Sequence, residues 1–112
     1  MESAVLDRVH AKDANFCEAD LTKASLQNAD FPGADFSKSI LSQAIFKGSR
    51  LCEASFAGAT GIEINMEDTD LRELRAGDAN FSKGSFRRAK GSEPIWQKAN
   101  LQEADFSFLP RT

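Results

Sequence analysis

Residues 14–36, ANFCEADLTKASLQNADFPGADF, carry a large apolar side chain at every fifth position and an alanine two places before each one. Neither common secondary-structure period accommodates that spacing. In an α-helix five residues advance about 500°, so Phe16, Leu21, Leu26, Phe31 and Phe36 would point around the whole cylinder and form no apolar stripe. In a flat strand an odd spacing sends successive members to opposite faces and leaves half of them in water. A five-residue period is therefore a structural unit of its own.

The period runs through the chain without a change of phase. Stepping by five from Phe16 gives twenty-one centres, Leu6 to Phe106, of which seventeen are Leu, Phe, Met or Trp; the others are Ala11, Gly61, Ala76 and Gly91. Two residues before the centre, thirteen repeats carry alanine, and four more carry Ser39, Ser49, Thr69 or Gly84. Repetition this dense decides the architecture ahead of any local propensity.

The recurring triplets ANF, ADL, ASL, ADF, ASF and ANL form an A-(D/N)-(L/F)-x-x pattern that resembles the pentapeptide-repeat family. The resemblance covers residues 4–106. It implies an all-β, right-handed quadrilateral β-helix of about five coils, stacked at strand spacing of about 4.8 Å. On that fold the centre and the residue two before it both face a bore too narrow for two large side chains, hence one large and one small. The other three residues face water, in keeping with their Asp, Asn, Ser, Lys, Glu and Arg content. Stacking every twentieth residue gives four internal columns, starting at Leu6, Ala11, Phe16 and Leu21 and defining sides one to four. Departures fall in 60–77, TGIEINMEDTDLRELRAG, where Ile64 and Leu74 take alanine sites, and at Pro94. The coil is expected to bulge or widen in both places.

The chain reads as one solenoid domain, 1–112, with residues 1–10 as an amino-terminal cap and 107–112 as a carboxyl-terminal cap or tail. ESAVLDRVH is expected to form a short helical or irregular lid, with Val5, Leu6 and Val9 turned down onto the first coil. Open rungs would otherwise invite edge pairing. Phe108, Leu109 and Pro110 are expected either to close the far end or to mate with a second copy, giving a homodimer. No apolar run approaches the roughly 18 residues of a membrane span, and MESAVLDRVH lacks the apolar core of a secretory leader. The expectation is a cytoplasmic protein with no membrane partner. Cys17 and Cys52 lie on different sides nearly two turns apart. Two rungs span about 10 Å, beyond the roughly 7 Å reach of a disulfide, so free thiols in a reducing compartment are expected.

The residue chemistry argues against catalysis. The single histidine, His10, falls in the expected cap; there is no C-x-x-C and no G-x-S-x-G, and the glycine pairs lack the lysine of a phosphate loop. A filled bore offers no deep pocket. No catalytic, cofactor-binding or metal-binding residue is assigned. The one basic cluster, FRRAK at 86–90, faces Glu67 and Asp68 one rung below, and the net charge is −3, so no nucleic-acid partner is expected.

Two roles stay open. The resemblance implies one: quinolone-resistance members of the family resemble B-form DNA in shape and charge and bind DNA gyrase, a type II topoisomerase. Such mimicry needs acidic residues gathered along one side. Summed by side, the net charges are zero, −2, zero and −1. The sequence also lacks the projecting loop that the gyrase-protecting members carry, and its carboxyl tail is short for their dimerising helix. DNA mimicry is thus the alternative. The leading reading is a non-enzymatic scaffold or protein–protein interaction module with an unidentified protein partner. Ile40 and Ile62 are expected to face outward on side four in adjacent turns, with Ile45 round the corner on side one. They form a candidate patch, against the plainer reading that isoleucine simply favours strands. Ile95, Phe108 and Leu109 are a second candidate contact at the carboxyl end. Pentapeptide repeats also occur as segments of larger bacterial proteins, in which case neighbouring segments set the role.

Overall fold

In the computed structural model, which describes residues 3–91, 96 and 98–106, every backbone bridge is parallel and joins residues twenty apart, from Val5 with Ser25 to Ser85 with Asp105. Twenty residues make one coil of a right-handed quadrilateral β-helix, five to each side. The hydrogen bonds explain why the unit is five residues long. The residue before each centre turns both its N–H and its C=O toward the preceding coil: Ser25 N donates to Ala4 O at 2.8 Å, and Ser25 O accepts from Leu6 N at 2.7 Å. The centre's own N–H points to the next coil, as Leu26 N does to Ile45 O at 2.7 Å.

Each corner is a tight turn. At most corners the N–H three residues past a centre bonds back to the centre's carbonyl, as from Ala24 to Leu21 at 2.9 Å. The second residue past the centre has positive φ, as in a type II turn. These residues are mostly not glycine: Lys23 has φ 60°, Glu63 62° and Arg88 60°. A left-handed L-residue costs roughly 1–2 kcal/mol. It persists because this φ aims the residue's N–H along the coil axis, where Lys23 N, for example, meets Ser42 O at 2.9 Å.

The bore is dry and filled. Leu21, Leu26, Phe31, Phe36, Phe46 and Phe56 are fully buried, and so are the alanines at 24, 34, 44 and 54. In column three Phe16, Phe36 and Phe56 stack with ring centroids 4.9 and 4.8 Å apart, while Phe31 meets Phe16 and Phe36 edge-on at 5.7 and 5.8 Å. Ala76 interrupts the column. Trp96, the next member, fills the far end edge-on to Phe81, Phe86 and Phe106. Polar residues at small inward sites bond to corner carbonyls: Ser39 Oγ to Phe36 O and Thr69 Oγ1 to Met66 O, each at 2.6 Å. Ser49 Oγ instead reaches one coil back, donating to Leu26 O and accepting from Ala29 N at 3.0 Å.

Two expectations are corrected. The coil does not widen at 60–77: the bridges Ser55 with Arg75, Thr60 with Asn80, Asn65 with Ser85 and Asp70 with Lys90 continue unbroken, with Ile64 and Leu74 buried. Volume is exchanged locally instead. A Cβ on Gly61 would lie 2.9 Å from Phe81 Cδ1 and 3.1 Å from Ile64 Cδ1, and one on Gly84 would lie 3.1 Å from Ile64 Cγ2. Ile64 thus occupies the space that two glycines vacate, and Leu74 stands beside the small centre Ala76. Pro94 lies outside the described residues.

The expected lid over residues 1–10 is the second correction. Residues 3–10 run as the first sides of the coil, with Val5 bridged to Ser25 and His10 to Asp30. Leu6 and Val9 do pack on the core, but Val5 is 72% exposed. Ala4 and Leu6 already stand in register as a small and large inward pair, so Val5 between them must point out. Residues 107–112 lie outside the described residues.

Gly61→Ala should destabilise the fold by about 1–3 kcal/mol through overpacking. Ile64→Val, which removes the clashing methyl, should recover part of that loss in a denaturation double-mutant cycle. Strict additivity would contradict the shared-volume account.

Candidate interaction surface

Three residues of each repeat form the surface, and their order is chemically determined. The residue before the centre is often Asp or Asn because its side-chain oxygen accepts the N–H two residues on. Asn15 takes Cys17 N at 2.9 Å, Asp35 takes Ser37 N at 2.8 Å, and Asn65 takes Glu67 N at 2.9 Å. At Ser25 a carboxylate from the coil below substitutes: Asp7 accepts both Ser25 Oγ at 2.6 Å and Gln27 N at 2.9 Å. These bonds hold the carboxyls below their ordinary range. Ser25 and then Gln27 lower the pKa of Asp7, the hydroxyl and amide of Thr22 lower that of Asp20, and those of Ser37 lower that of Asp35.

Side two carries a ladder of bridged residues, His10, Asp30, Arg50, Asp70 and Lys90, in which charge alternates in sign from Asp30 onward. Asp70 is clasped by Arg72, with Nη2 to Oδ2 at 2.6 Å and Nε to Oδ1 at 2.9 Å. Burial pushes the Asp70 carboxyl up, but the Arg72 bonds outweigh it and the pKa is lowered. Cys52 lies beside this pair with its pKa raised, by burial first and then by Asp70, so it is held as a neutral thiol. The ladder floors an open groove of about 610 Å³ that includes Gly48, Ser49, Thr69 and Arg72. Sequence reading missed this groove. Its lining residues come from separate coils, so no contiguous motif marks it. On side one Arg87 and Arg88 of the FRRAK cluster meet carboxylates, Arg88 those expected: Arg88 binds Asp68 at 2.9 Å and stands 3.6 Å from Glu67, and Arg87 stands 4.0 Å from Asp105.

Ile40 and Ile62 are 45% and 37% exposed, on side four in adjoining coils. Ile45, round the corner between Ser25 and Asn65, is half-buried. Ile95, Phe108 and Leu109 lie outside the described residues. Cys17 is exposed and Cys52 half-buried, both as free thiols. Among the described residues no group of three His, Cys, Asp or Glu is placed to hold a metal ion, and no helix is long and apolar enough to cross a membrane.

Carboxyls whose pKa is lower in the fold than in the unfolded chain stabilise the fold above their ordinary pKa of 3.8, and that stability is lost as pH falls through the folded values. Midpoints of thermal unfolding should therefore be flat from about pH 7 to 5 and drop below about pH 4. Asp35→Asn, which keeps the acceptor oxygen, should flatten part of the drop. A profile insensitive to acid would contradict the assignment.

The family model for pentapeptide repeats matches residues 1–37 and 33–60, more than half of the chain, in eight copies. Among solved structures the chain is similar to Rfr23, a pentapeptide repeat protein from the cyanobacterium Cyanothece 51142. The TM-score is 0.91 and the identity 21%, over 97% of this chain and 90% of that one. It is also similar to HetL, a pentapeptide repeat protein involved in heterocyst differentiation regulation from the cyanobacterium Nostoc sp. strain PCC 7120. There the TM-score is 0.59 and the identity 17%, over 96% of this chain and 56% of that one. At these identities the likeness is one of fold. Comparison with curated proteins finds no match.

Proposed function

The chain belongs to the pentapeptide-repeat family, and from that premise we propose that it is a non-enzymatic scaffold that presents a flat, rigid side to a protein partner. The observation that carries this reading is the pair Ile40 and Ile62, apolar and exposed on one side of a surface whose other outward residues are largely polar or charged. The coil fixes both backbones through bonds to the coils above and below, as Ile40 N to Ala19 O at 2.9 Å and Gln43 N to Ile62 O at 3.0 Å. A partner therefore meets a preformed surface and bears little ordering cost on this side. Ile45 extends the patch round the corner. A reducing, cytoplasmic setting suits the two free thiols.

The DNA-mimic reading would call for carboxylates in file along a side. The ladder of side two alternates in sign, and the acidic residues Glu67 and Asp68 on side one are paired with Arg88, so this distribution gives mimicry no support.

Changing Ile40, Ile45 and Ile62 together to Ser should leave the circular dichroism spectrum of the β-helix in place. It should weaken binding of a partner identified by affinity capture and mass spectrometry about tenfold or more. An unchanged partner set and affinity would overturn the patch.

A further inference from the structure

We draw no further inference here: the strongest candidate, the open groove of side two floored by Asp30, Arg50, Asp70 and Lys90, alternates in charge with Asp68 and Asp70 already engaged by Arg88 and Arg72, and nothing in the structure shows what covers it.

Discussion

Everything in this protein depends on a bore that holds one large and one small side chain per five residues. Water is excluded because Phe16, Phe36 and Phe56 lie ring on ring and the alanines two places before each centre bring opposite walls close enough to touch them. The bore fixes the backbone. With the centre and the residue two before it turned inward, the residue between them has both polar backbone groups free for the coil below, and the corner residue has its N–H free for the coil above. Core packing and the hydrogen-bond ladder therefore enforce the same twenty-residue register. The corners show how strongly: lysines, glutamates and arginines sit at positive φ, a conformation that local preference opposes.

Because each coil touches only its neighbours, departures from the repeat are settled locally. Ile64 at an alanine site is accommodated by Gly61 and Gly84 within contact distance, and the ladder passes it without a break. Ser49 supplies a polar counterpart, bridging the carbonyl and the amide of a corner one coil away. The same locality makes an end costly. The first coil's inward residues, among which Val9 and Ala11 exchange the small and large places, are only partly buried.

Much of this was legible in the sequence, since a five-residue period with a twenty-residue stack leaves few alternatives: the columns, the inward centres, the separate thiols and the carboxylates set against Arg88 all follow from counting. What counting could not supply was energetic. Ile64 and Leu74 looked like places where the coil must widen, because the glycines that make room for Ile64 lie in other repeats. ESAVLDRVH looked like a lid, because Val5, Leu6 and Val9 within five residues suggested a common inward face. In the coil their places in the repeat differ: Leu6 is a centre and Val9 stands two before one, so both turn in, while Val5 stands directly before a centre and turns out. The Asp or Asn of the motif looked like solvated surface, but it is an acceptor for a specific amide. The side-two groove was hidden because its lining is assembled from residues of several coils.

The resulting surface is rigid, flat-sided and nearly neutral, with its only sizeable apolar features at Ile40, Ile62 and Val5 among the described residues. What such a body presents is set by which side chains stand in file on a side. That placement depends on the register, which through-hydrogen-bond NMR couplings read directly. The account predicts couplings from the amide nitrogen of Leu26 to the carbonyl carbon of Ile45, and from Phe36 to Ser55, repeated along the chain at the same separation of nineteen residues. Couplings at the four-residue spacing of a helix, or at separations that drift from coil to coil, would contradict it.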